Sequence, residues 1–193
     1  RDIKWAHDYP RSDRHFPKIL GELTSINVRT DSSAIVTLDD PELMRYPFVY
    51  LCEAGYWSPN EAEITGLRNY LLKGGFVLFD DFEGNQWYNF ETQMRRVLPD
   101  VRMIPLSKEH PIWDSFYRIE SLDFDHPVYQ GLKAKFYGIF EDNDPTKRML
   151  AIVNYDMDVS EYWEFSDQGI YAVDLTNEAY KLGVNYVIYL LTH

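Results

Sequence analysis

Two aspartates in succession, Asp80-Asp81, leave the wholly apolar run Phe76-Val77-Leu78-Phe79. A run of this kind fits a strand buried on both faces. In open parallel sheets, ligands sit beyond the carboxyl ends of the strands. A carboxylate there can ligate a metal, act as general acid or base, or accept from hydroxyl groups. It can equally cap the next helix or receive backbone N–H groups. Successive strand residues point in opposite directions, so at most one of the pair is expected to aim into a crevice. Asp13 and Arg14 are expected at the rim of the same site, the arginine holding at least one acid ionised.

Asn154, Asp156 and Asp158 recur at period two, which on a strand puts three oxygen-bearing side chains on one face. The same text opens like a calcium loop, but Val159 stands where that loop turns on glycine and Phe165 where its bidentate glutamate belongs. Trp163-Glu164, just beyond, offers a stacking face and a carboxylate, or a tryptophan packed on the core. His110 and His126 each precede a proline, which marks turns. Of the two, His110 is carried as a candidate ligand or base. Cys52, the one cysteine, lacks a nucleophile-elbow context and reads as a small buried side chain. No glycine-rich phosphate loop is present.

The elements that must position these groups alternate. Residues 13–26 carry Phe16, Ile19, Leu20 and Leu23 on one helical stripe, with Pro17 in the first turn. Residues 33–38 and 47–52 read as strands. Ser58-Pro59-Asn60-Glu61 reads as a capping box with proline at the first helical position, opening a helix over 58–73 that Gly74-Gly75 ends. With Phe76–Phe79 this makes a βαβ unit. Residues 85–98 read as a helix and 101–105 as a strand. Residues 135–140 and 148–154 read as a hairpin around an acidic turn, and 176–191 as a deeply packed helix. The pattern predicts an α/β three-layer sandwich with a mainly parallel central sheet, as one domain over 1–193. If residues 3–5 end a first strand, the loops 6–14, 53–58 and 80–87 meet at one end of the sheet.

Hydrophobic residues make up 45% and charged residues 26% of the 193, an ordinary globular balance that argues against disorder. The net charge of −12, from 31 acids against 19 bases, repels phosphate backbones and argues against nucleic acid as partner. No apolar run reaches the length of a membrane-spanning helix. A single cysteine excludes an intrachain disulfide framework. The chain opens Arg1-Asp2-Ile3-Lys4-Trp5 with no signal-peptide pattern and no methionine, so a processed start stays open.

Several segments together resemble the bacterial DUF4159 family, named for its unknown function. They are Trp5-Ala6-His7-Asp8-Tyr9-Pro10-Arg11-Ser12-Asp13, Leu67-Arg68-Asn69-Tyr70-Leu71-Leu72-Lys73-Gly74-Gly75-Phe76, Asp80-Asp81-Phe82, Glu109-His110-Pro111-Ile112, Tyr162-Trp163-Glu164 and Leu182-Gly183-Val184-Asn185-Tyr186-Val187-Ile188-Tyr189. The resemblance implies a class I glutamine amidotransferase-like, flavodoxin-like scaffold. Active members of that fold group carry a nucleophilic cysteine after a sheet strand, where this chain has Asp80, Asp81 and Phe82. The expectation is therefore a non-catalytic binding or interaction module; the alternative is a carboxylate- or metal-dependent hydrolase acting on a carbohydrate or cell-envelope substrate. No cofactor is expected, a divalent cation remains open, and the partner is a protein or a polar small molecule. The resemblance also implies an extracytoplasmic location.

Overall fold

A computed structural model describes residues 4–30 and 33–193, with Trp5 described in its backbone only. Of the expected first strand at residues 3–5, Ile3 lies outside the described residues, and Lys4 and Trp5 belong instead to a 3-10 turn, Lys4–Ala6. Helix α1 (Ser12–Leu23) begins earlier than the apolar stripe indicates, so Pro17 stands inside the helix rather than in its first turn.

Strand β1 (Phe48–Leu51) is followed by α2 (Glu61–Leu72) and β2 (Phe76–Phe79). The capping box at the start of α2 is shifted two residues from the expected one. The Asn60 side chain accepts from the backbone N–H groups of Ala62 and Glu63, and Glu63 accepts from the Asn60 N–H at 2.8 Å. This reciprocal arrangement satisfies helix-start donors that would otherwise be orphaned. Helix α3 (Gln86–Val97) and the two-residue strand β3 (Ile104–Pro105) come next. They are followed by β4 (Lys135–Phe140), β5 (Met149–Tyr155), α4 (Val159–Glu164) and α5 (Val173–Thr192).

The strands form one sheet in the order β1-β2-β5-β4-β3. It is parallel across β1, β2 and β5 and antiparallel across β5, β4 and β3. The sheet is thus mixed, and its parallel character is confined to the three strands that carry the site. The expected β4–β5 hairpin explains half of this: a short connection can only return antiparallel.

Alternation along β2 builds two cores. Phe76 and Leu78 join Phe16 and Leu20 of α1, Trp163 of α4 and Tyr186 of α5 on one face. Val77 and Phe79 join Ile64, Leu67 and Leu71 of α2 and Phe90 and Met94 of α3 on the other. Three layers follow, with β2 buried at every residue between β1 and β5. Residues 33–38 form no strand. A Cβ at Gly66 of α2 would fall 1.9 Å from the Leu38 carbonyl oxygen, so this segment lies directly on the helix. Val36 and Leu38 pack into the second core from there instead of entering the sheet. Among the described residues, no helix is long and apolar enough to cross a membrane.

Candidate functional site

The carboxyl ends of β1, β2 and β5 share a backbone feature. Each is followed within two residues by a non-glycine residue in the left-handed region: Glu53 (φ 55°), Asp81 (φ 55°) and Asp156 (φ 55°). Such conformations are sparsely populated for L-residues and persist where surrounding structure holds them, commonly at binding and catalytic sites. The left-handed turn after β2 departs from strand alternation, and both acids lie in one buried cluster, where alternation led to at most one aiming into a crevice.

Asp80 is fully buried. It accepts from the Asn154 amide at 2.9 Å, the Val159 N–H at 2.9 Å and the Tyr50 hydroxyl at 3.1 Å. It thereby ties β1, β2, β5 and α4 together. Asn154 is held in turn by the Tyr186 hydroxyl at 3.1 Å. Burial pushes the Asp80 carboxyl up to about 8 against the pull of these donors, with the Asp81 charge adding to the rise. Asp81, 8% exposed, accepts from the Cys52 thiol at 3.3 Å. Burial, then the charges of Glu53 and Asp8, push its carboxyl up to about 7.

Asp8, from the segment before α1, closes the cluster. It accepts from Ser160 Oγ and lies 3.8 Å from the Cys52 thiol, while its other oxygen faces His7 Nδ1 at 3.0 Å. Burial lowers the His7 ring, but Asp8, Asp81 and Glu161 outweigh it and leave the ring above its ordinary value. Asp158 caps α4 through the Glu161 N–H at 2.9 Å. Burial raises it well above the usual carboxylate range, with Asp81, Asp8 and Asp80 adding to the rise. The ligand atoms of Asp8, Cys52 and Asp81 all lie within 4.8 Å of one another, as do those of His7, Asp8 and Glu161. Two full charges at that separation repel by about 3.5 kcal/mol at an effective dielectric of 20. Among the described residues, none of Asp8, Asp80, Asp81, Asp158 and Glu161 forms an ion pair with lysine or arginine. The cluster therefore holds protons or takes a cation.

The remaining expected site residues divide. Glu164 lies at the edge of the cluster, where burial, then Asp8 and Glu161, bring its carboxyl to about 6. Asp156 sits beside the cluster but is neutralised by Lys135 at 2.6 Å and also accepts from the Gly84 N–H. The shared face expected of Asn154, Asp156 and Asp158 does not form. β5 ends at Tyr155, and the left-handed Asp156 turns the chain out of the strand. Asp13 bonds its neighbour Ser12 at 3.3 Å, and Arg14 is exposed on α1 with no ion pair among the described residues. Arg11 is the arginine that ties loops here, through the Glu164 carbonyl at 3.1 Å and Asp167. Trp163 is a core side chain, stacked 4.3 Å from Phe16. His110 caps a 3-10 turn by accepting from the Ile112 N–H, and its ring packs between Phe140 and Tyr189 at the opposite end of the sheet.

Asp8, Cys52, Ser160, Glu161 and His7 were missed as site residues. Asp8 and His7 lie in a loop expected at the site, but nothing in their spacing marks them. Cys52 is buried as expected, yet buried among acids. Burial, then Asp81 and Asp8, push its thiol well up, the reverse of what a nucleophile requires.

The molecule is thus a mixed α/β domain with a buried acidic cluster at the carboxyl end of its parallel strands. The chain belongs to the DUF4159 family, a domain of unknown function, whose model matches residues 1–191. No curated protein matches it.

Proposed function

We propose that the domain is a non-catalytic binding module, on a flavodoxin-like, class I glutamine amidotransferase-like scaffold, that takes a divalent cation at its acidic cluster and holds a polar ligand or partner through it. The observation that carries this reading is the packing of Asp8, Cys52 and Asp81 within 4.8 Å, backed by Asp80 and Asp158, with no lysine or arginine ion-paired to these acids among the described residues. A cation there would relieve the mutual repulsion of the carboxylates and draw the proton off the Cys52 thiol. Thiolate, carboxylate and imidazole together suit zinc; carboxylates alone suit magnesium, manganese or calcium. His7 and Glu161 stand ready as further donors on the Asp8 side. Two hollows open at the other end of the sheet, one beside Phe76, Met149 and His193, the other beside Met44, Tyr70 and Gly74. Neither reaches the acids.

A metal-assisted hydrolase on a carbohydrate or cell-envelope substrate is the second reading. It is favoured by Asp81 and Glu164, which titrate near about 7 and about 6, the range useful to a general acid or base. An extracytoplasmic setting is part of the proposal and is checked by fractionating native cells. The main test is thermal unfolding of chelator-treated protein titrated with zinc, manganese, magnesium and calcium. A concentration-dependent rise with at least one ion, abolished in Asp81→Asn, is expected from linkage. No rise with any of the four overturns the proposal.

A further inference from the structure

At the mouth of the acidic cluster an ammonium group is already seated. Lys4 Nζ lies 4.6 Å from the centroid of the Tyr56 ring and 3.8 Å from a carboxylate oxygen of Glu53. Glu53 is the left-handed residue that follows β1, and its charge is the first to act on Asp81 after burial. Gln86 bridges the far side, reaching the Tyr56 hydroxyl at 3.4 Å and the Glu83 carboxylate at 2.5 Å. The mouth is therefore one tyrosine ring and two carboxylates, Glu53 and Glu83, outside the cluster itself.

We propose that this mouth is a receptor for the lysine side chain of a basic partner protein, and that Lys4 fills it in cis until displaced. An ammonium is attracted to an aromatic face by the ring quadrupole and to the carboxylate by charge. The lysine stem supplies the reach, as Lys4 shows. With its side chain 55% exposed, Lys4 is held loosely enough to exchange. The net charge of −12 steers basic partners toward the surface. This inference does not depend on metal at the cluster floor, because Glu53 and Tyr56 lie outside the triad of Asp8, Cys52 and Asp81.

The test is titration with Nα-acetyl-lysine amide by NMR in the presence of chelator, with Nα-acetyl-norleucine amide as the uncharged match. Cadaverine and a lysine-containing peptide are run in parallel. Saturable binding of the lysine derivative is expected, tighter by about 2- to 5-fold in Lys4→Ala, the occupancy factor of an exposed ammonium–ring contact. Glu53→Gln and Tyr56→Leu should each lose binding, whereas Glu120→Gln, a control on an exposed acid elsewhere, should not. Tyr56 is half exposed, so its variant keeps the fold and decides the matter if Glu53→Gln is unstable. A peptide that binds tighter than cadaverine supports a protein lysine; cadaverine binding tighter overturns that source. The proposal also fails if Lys4→Ala shows no saturable binding, or if Tyr56→Leu binds as well as Glu120→Gln.

Discussion

A buried acid that keeps its proton makes the folded state less stable as pH rises, and here the size of that effect follows from two carboxyls. Asp80 and Asp81 are raised from about 3.8 to about 8 and about 7, so between pH 4 and 8 the folded chain binds more protons than the unfolded one. The sign is then fixed: their contribution is fully present below the unfolded pKa and is lost as pH rises through the folded values. His126, lowered by burial to about 4, and His110, also lowered, act the other way, adding stability as pH rises toward 6.5. Above pH 6.5 the histidines are spent and the acids act alone, joined by His7, whose raised value has the same sign. Between pH 6.5 and 8 the acid pair should release protons worth about 2 kcal/mol at 1.36 kcal/mol per unit. For a domain of this size that lowers the melting temperature by about 4–8 °C. The two sites share protons, so the fall belongs to the pair. Fluorescence-monitored melts at half-unit intervals, in chelator, should show it. Asp81→Asn should reduce the fall. A melting temperature that is flat or rising from pH 6.5 to 8, or an undiminished fall in Asp81→Asn, would refute the reasoning.

Three further outcomes are expected. Asp80→Asn should cost about 1–3 kcal/mol, because an amide offers at best one acceptor atom where Asn154, Val159 and Tyr50 all donate; chemical denaturation measures it. Gly183→Ala places a Cβ 2.5 Å from the Phe16 ring and 2.6 Å from Trp163, and this overpacking should cost about 1–3 kcal/mol, read as a lower melting temperature. Asn185 accepts from the Phe116 and Tyr117 N–H groups and donates to the Tyr117 carbonyl. Asn185→Ala should therefore leave partly buried backbone groups without their partner, and hydrogen exchange at Phe116 and Tyr117 should accelerate before global stability falls far.

Where one physical cause dominated a segment, the sequence was readable. Phe76–Phe79 is apolar throughout because both faces of β2 are covered, and only a central strand needs that. The β4–β5 hairpin and the α2–β2 succession were legible on similar grounds. Legibility failed where two local solutions competed. Both Ser58 and Asn60 precede a glutamate by three residues, and Asn60 prevails with Glu63 while Pro59 stays outside the helix. Residues 33–38 have the composition of a strand, but the absence of a side chain at Gly66 lets their backbone lie on α2. That choice depends on a contact about 28 residues distant, which no local pattern encodes.

The site shows the same division more sharply. Asp80 and Asp81 could be singled out because the end of a buried parallel strand is a definable place. Asp8, Cys52 and Ser160 reach the same point from three other segments, and each looks unremarkable in its own neighbourhood. Asp158 reaches the cluster by another route than its spacing implied: it joins as the cap of α4, not as one member of a strand face. What unites these groups is burial without an ion-paired lysine or arginine, and burial is a property of the assembled layers. Lys135 illustrates the point from the other side. Its ammonium neutralises Asp156 next to the cluster, yet among the described residues no lysine or arginine is ion-paired to the five acids beside it. An ordinary structural ion-pair network would distribute its cations among its acids, because an unpaired buried charge costs more than a paired one. Concentrating the acids while pairing only their neighbour raises the carboxyls of Asp80, Asp81 and Asp158, and it is on this arrangement that the proposed cation site rests.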